Sequence, residues 1–298
     1  MPQKVEYWEF RNITTRLGLE EYFHDRGKNH PNRYYHYTSL ENIEHIFKDK
    51  RFRISNVSRF NDKIDCMQFG EPINLYYSLC FSVGKRENLP LWYLYSGVDG
   101  RGGRLGFTSS AIRELCDSAI FTLCEYDYDN PTTEFPTIPL KPSVDFELNI
   151  RDVLYANFDN EEHTSELRYS NLVNNIISSE EVRKYLAAHP GFWKSLIWSY
   201  EKETRLNIKL LGDKARLVTA DAKKKYAIFM EIPSVIWSRM TLDLAPENDD
   251  MDAVLQEYPY INKFQKENKA VAYSKHKGEI KMKLHSENKK TNQDKEEK

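Results

Sequence analysis

The chain has 298 residues, of which 40% are apolar and 13% aromatic, and its 43 Lys and Arg nearly balance 45 Asp and Glu. This balance excludes nucleic-acid or anionic-membrane binding through overall charge and leaves only a local basic groove for such a role. No apolar run approaches the roughly 18 residues that span a bilayer, the start MPQKVEYWEFRN has no signal-peptide core, and Cys66, Cys80, Cys116 and Cys124 have neither C-x-x-C nor zinc spacing. The expectation is a cytoplasmic protein with reduced thiols, no membrane association and no metal site.

In chain order, residues 1–30 read as a helical extension, with helix over VEYWEFRNITTRLGLEEYF. YYHYT (34–38) reads as a strand with Tyr35 and Tyr37 on one face and Tyr34, His36 and Thr38 on the other. A helix follows, with Thr38 and Glu41 in capping-box spacing and Leu40, Ile43, Ile46 and Phe47 at helical positions. RFRIS alternates as a strand. Residues 56–74 read as loop, with Asn61 and Asp62 in an Asx turn or supporting a cleft wall. YYSLCFSV (76–83) predicts a strand with Tyr77, Leu79, Phe81 and Val83 on one face and Tyr76, Ser78, Cys80 and Ser82 on the other.

LPLWYLYSG predicts a short helix ending at Gly97. DGRGGRLGFTSSAIREL predicts a turn, a strand and a helix capped by Ser109 or Ser110. Its glycines fit a hairpin turn better than a phosphate-binding loop, since neither G-x-x-x-x-G-K-[ST] nor a placed G-x-G-x-x-G is present. AIFTLCEYDY reads as a strand, and the four prolines of NPTTEFPTIPLKPS predict an irregular connection. Residues 145–189 read as helical, an insertion near 145–190. FWKSLIWSYEKETRLNIKL passes from helical to alternating spacing near 203. YAIFMEIPSVIW is a strand followed by a turn or short helix, and 285–298 is a disordered polar tail. The fold class is α+β, with residues 31–284 forming one domain.

Candidate chemistry comes from two strands far apart in the chain. His36 sits near a strand end, where imidazole can serve a cleft; a histidine packed in a tyrosine-rich core fits the same pattern. In the alternating segment after residue 202, Glu203, Arg205, Asn207 and Lys209 share one face. Glu201 joins them if the strand extends back two residues, and Arg205 is then placed to orient one carboxylate through a bidentate pair. A wet edge strand gives the same spacing. Ser82, Trp92, Tyr93 and Tyr95 fit either a platform for a flat heterocycle or ordinary core packing. The basic runs KDKRFR (48–53) and DAKKKY (221–226) fit phosphate contacts or solvated faces.

The ordered pieces YHYTS, RFND, CFS, WYLY, GRLGF and WSYEKETRL, over about residues 34 to 210, resemble a bacterial family catalogued as a domain of unknown function. More distantly, they are similar to ADP-ribosyltransferases, in which an early-strand histidine holds a ribose hydroxyl of NAD and a late-strand glutamate is catalytic. That resemblance implies a mixed, largely antiparallel split sheet with inserted helices, and NAD as substrate. It also implies Glu203 and Glu201 as the catalytic carboxylates, with His36, Tyr37, Ser82, Trp92, Tyr93, Tyr95 and Arg205 around the dinucleotide. It further implies a protein or nucleic-acid acceptor and a role in toxicity or antiviral defence. The stretch of about 120 residues between CFS and EKE is longer than in compact toxins. The competing reading is a non-catalytic module that binds a nucleotide or nucleic acid in the same cleft.

Overall fold

The computed structural model describes residues 33–60, 65–66, 72–84, 87–97, 100–128, 136–156, 190–221, 223–248 and 250–277. Along the chain these form β1 (Arg33–Ser39), α1 (Leu40–Asp49), β2 (Arg51–Asn56), β3 (Tyr76–Val83), α2 (Leu89–Tyr95), β4 (Gly102–Thr108), α3 (Ser109–Ser118), β5 (Phe121–Glu125), β6 (Thr137–Leu140), β7 (Phe146–Asp152), β8 (Leu154–Ala156), β9 (Trp193–Ser195), β10 (Glu203–Leu210), α4 (Gly212–Ala220), β11 (Tyr226–Glu231), α5 (Ser234–Trp237), β12 (Thr241–Leu244), α6 (Met251–Glu257), α7 (Pro259–Asn268) and β13 (Val271–Tyr273). The expected N-terminal helix, the Asn61–Asp62 turn, the 157–189 part of the helical insertion and the polar tail lie outside the described residues.

Eleven strands make one open sheet, ordered β13-β12-β4-β1-β3-β2-β11-β5-β6, with β10 and then β7 added beside β3. Its pairings are antiparallel except for β12 with β13. The centre is β3, whose strict alternation gives it one apolar and one more polar face and which has neighbours on both edges. Tyr77, Leu79, Phe81 and Val83 are buried in the main core, while Cys80 and Ser82 on the other face are half-buried. One edge of β3 is occupied by β10 from Tyr76 to Ser82. The other edge is shared: β1 pairs at Tyr34↔Val83 and Tyr35↔Ser82, and β2 pairs at Ser55↔Ser78 and Asn56↔Tyr77. Between them, at residues 79–81, neither strand forms a ladder, because β1 follows β4 and β2 follows β11. The His36 imidazole partly replaces the missing ladder, its Nδ1–H donating to the Cys80 carbonyl at 3.0 Å. α1 links the diverging strands and buries Leu40, Ile43, Ile46 and Phe47.

Several local expectations are corrected. The α1 cap is Ser39, whose hydroxyl accepts the Asn42 N–H at 3.3 Å, while Thr38 accepts from the Asn42 side chain. The α3 cap is Thr108 rather than Ser109 or Ser110. The proline-rich segment contains β6, where Pro139 faces Thr122 in an edge strand, a place that tolerates the missing donor. Residues 146–156 are strands rather than helix. Phe146, Leu148 and Ile150 alternate with period 2, the strand spacing, and seven ladder pairs with β10, from Thr204↔Asp152 to Leu210↔Phe146, form the strand. Gly102 is required for close approach, since a Cβ there would lie 2.5 Å from the Ser96 Cα. Among the described residues no helix is long and apolar enough to cross a membrane, and all four cysteines are free thiols.

Candidate active site

Cross-strand partners project to the same face of a sheet. Ser82 lies opposite Tyr35 on one side and Glu203 on the other, Cys80 lies opposite Arg205, and Ser78 lies opposite Asn207. The sheet therefore collects a polar row across three strands, within which Ser78 Oγ donates to Asn207 Oδ1 at 2.6 Å. Glu201 joins this row by a route the alternation does not predict. It ends a 3₁₀ turn over Leu196–Glu201, and the chain reverses at Lys202, which has φ 48°. Ser82 fixes that turn by donating to the Glu201 backbone carbonyl at 2.7 Å. The Glu201 carboxylate accepts from Lys194 Nζ at 2.6 Å and from the Tyr95 hydroxyl at 3.1 Å.

Around these residues lies a buried charge network of three carboxylates, Asp65, Glu201 and Glu203, and two cations, Lys194 and Arg205, none more than 7% exposed. Arg205 uses its whole fork internally. Nε and Nη2 donate to Glu203 at 2.7 and 3.1 Å, Nη1 donates to Asp65 at 2.8 Å and to the Gly191 carbonyl at 3.2 Å, and Nη2 also meets Asp65. It is thus a positioning residue for Glu203, as its bidentate spacing predicted, and has no N–H left for the dinucleotide contact expected of it. Lys194 Nζ sits 3.6 Å from Glu203 and over the Trp198 ring at 4.8 Å.

This arrangement drives the two glutamates apart. Burial pushes Glu203 up, but the Arg205 guanidinium and then the Lys194 ammonium outweigh it and hold the carboxyl down at about 2. Burial and then the neighbouring Glu203 charge push Glu201 up to about 7 against the pull of Lys194. Burial raises the Cys80 thiol well above its ordinary range, with Glu203 adding to the effect, so it stays protonated. A carboxyl raised in the folded state contributes stability that is complete below its unfolded value and disappears as pH rises through the folded one. For Glu201 that window runs from about 4.5 to about 7. Chemical denaturation across this range should show wild-type stability falling with pH and Glu201→Gln removing most of the fall.

The network opens on a cavity of about 650 Å³ bordered by Glu201, Glu203, Arg205, Lys194, Ser82 and Tyr95, and also by His36. His36 shares its face with Phe81, the face opposite Ser82 and Glu203, and packs edge-on to Phe52 and Phe81 at 5.7 and 6.1 Å; it reaches the cavity only at the gap where β1 and β2 part. Burial lowers its pKa against the Cys80 hydrogen bond, so the ring is neutral. With Nδ1–H donated, Nε2 carries the acceptor lone pair.

The expected aromatic platform is only partly present. Trp92 is 1% exposed, packs on Tyr37 at 4.8 Å and donates to Glu87 at 3.2 Å, away from the cavity; Tyr93 is solvent-exposed and also outside it. Tyr37 borders the cavity, but its hydroxyl is held by the Asn88 N–H and Arg104, each at 3.1 Å. Of the expected aromatics Tyr95 borders the cavity, and Trp198, Tyr126, Tyr128 and Phe229 add to its aromatic wall. Sequence reasoning missed Asp65, Lys194 and Trp198. The faint signal for Lys194 was a single cation between aromatic and aliphatic residues in FWKSLIW. Set against known proteins, the chain matches no family model, no curated protein and no solved structure.

Proposed function

We propose that this cavity binds NAD and breaks its nicotinamide–ribose bond, transferring ADP-ribose to an acceptor or to water in the manner of an ADP-ribosyltransferase. The observation that carries the reading is the pair Glu203 and Glu201, held in one cavity with opposite ionisation tendencies. Paired carboxyls pushed apart in this way divide into an ionised stabiliser and a proton-transfer group.

The residues fit these roles. As the C1′–N bond breaks, its electron pair leaves with the nicotinamide nitrogen and the ribose becomes oxocarbenium-like. Ionised Glu203 accepts a hydrogen bond from a ribose hydroxyl and stabilises the positive charge, as carboxylates do in glycoside hydrolysis. Once Glu201 is ionised, the network carries one more carboxylate than cations, which favours the same charge. His36 Nε2 accepts a second ribose hydroxyl. Glu201, when ionised, takes the proton of the attacking nucleophile. Ser82 acts through Glu201 by fixing its backbone.

The test is the pH dependence of nicotinamide release from NAD. Release should climb as pH rises through about 7, and Glu201→Gln should lower the rate and abolish that climb. An identical profile in Glu201→Gln removes the assigned role. NAD bound tightly by the wild type without any nicotinamide release favours the non-catalytic module.

A further inference from the structure

A second wall of the cavity is chemically unlike the carboxylate network. Arg51 and Arg53 project from one face of β2, about 6.5–7 Å apart along the strand, and Arg59 follows just beyond it; all three border the cavity. Their guanidinium groups are laid on rings. Arg51 lies 4.3 Å from the Phe229 centroid, Arg53 5.1 and 5.6 Å from Tyr126 and Tyr128, and Arg59 4.2 Å from Tyr128. Arg53 also donates to the Tyr126 hydroxyl at 2.6 Å. Arg51 meets Asp49 at 3.4 Å, and its buried Nε has no hydrogen-bond partner among the described residues. Arg53 and Arg59 meet no carboxylate among those residues. The other basic run is a different case: Lys223, Lys224 and Lys225 are exposed and outside the cavity.

We propose that this wall seats a single-stranded nucleic acid, and that a nucleophile on that strand is the ADP-ribose acceptor; the acceptor role rests on the NAD-cleavage reading above. Cations interleaved with aromatic faces match a polymer of phosphates and flat bases, which binds through charge and stacking together. Guanidinium groups already stacked on rings keep their N–H edges for phosphate oxygens at little further ordering cost. A peptide acceptor presenting Lys or Arg would bring like charge against three arginines. The three arginines line one wall of the cavity, across from the carboxylates assigned to NAD. In the transfer, a nitrogen or oxygen lone pair of that nucleotide forms the bond to C1′, nicotinamide departs with the old bonding pair, and the nucleophile's proton passes to Glu201.

The experiment uses the full chain, a short fluorescein-labelled poly(U) strand and no NAD, with binding read by anisotropy over a salt series. The wild type should bind the strand. Arg53→Gln with Arg59→Gln should weaken binding about tenfold or more and flatten the log–log salt slope by about 1.4, or 0.7 for each lost phosphate contact. Exposed Arg59→Gln alone should give part of this change with an unaltered melting curve, and Lys224→Gln should give none. With adenylate-labelled NAD added, label should appear on the oligonucleotide. No strand binding by the wild type, equal binding by the double variant, or NAD cleavage that leaves the strand unlabelled, whether the label ends in free ADP-ribose or on protein from added lysate, would overturn the proposal. Because the binding arm contains no NAD, its failure leaves nicotinamide release untouched. Strand binding without any nicotinamide release overturns the cleavage reading and the acceptor role with it.

Discussion

Glu203→Gln is expected to slow nicotinamide release from NAD by about 10- to 150-fold. A positioned hydrogen bond to a charged group contributes about 1.5–3 kcal/mol net, and about 1.4 kcal/mol is a tenfold change in rate. Glutamine preserves the shape and an oxygen that can accept from Arg205 Nε, and Arg205 keeps Asp65 as a partner. The fold is therefore retained while the negative charge facing the sugar is lost. Single-turnover assays at saturating NAD separate this effect from weaker binding. An unchanged single-turnover rate would show that the carboxylate does not stabilise the transition state.

Arg205→Met is expected to cost about 3–5 kcal/mol of folding stability, the range for breaking a buried ion pair from one side. Methionine occupies a similar volume, so the loss reports charge rather than a cavity. It leaves Glu203 and Asp65 buried with Lys194 as the remaining cation of the network. Urea unfolding at pH 7 measures the loss. Arg205→Lys should recover little of it, because an ammonium cannot reproduce a fork that serves two carboxylates and the Gly191 carbonyl. A midpoint equal to that of the wild type in Arg205→Met would mean that the fork does not hold the site together.

Where the sequence has strict alternation, the elements were legible. YYSLCFSV and ETRLNIKL carry period-2 patterns because each has a core face and a polar face, and they form β3 and β10 over those residues. The same alternation put Glu203 and Arg205 on one face. It could not place Glu201, whose carboxylate arrives through a 3₁₀ turn and a left-handed Lys202, neither of which leaves a periodic trace. Trp92 and Tyr93 were misplaced because a short helix turns neighbouring aromatics to different sides, one into the core and one to solvent. Asp65 and Lys194 come from short pieces outside the long strands, and only tertiary structure brings them to Arg205 and Glu201. Two of the wall's three arginines, Arg51 and Arg53, were visible in KDKRFR, which also reads as a solvated face, since the rings beneath them come from residues more than 70 positions further along the chain.

The most direct test is a mass balance on NAD alone. Purified chain incubated with NAD near pH 8, where Glu201 is ionised, should yield free nicotinamide and ADP-ribose in amounts exceeding the protein present, and Glu203→Gln should yield far less. NAD recovered intact from the wild type, both alone and with single-stranded nucleic acid and lysate supplied as acceptors, would contradict the assignment of this cavity to nicotinamide–ribose cleavage.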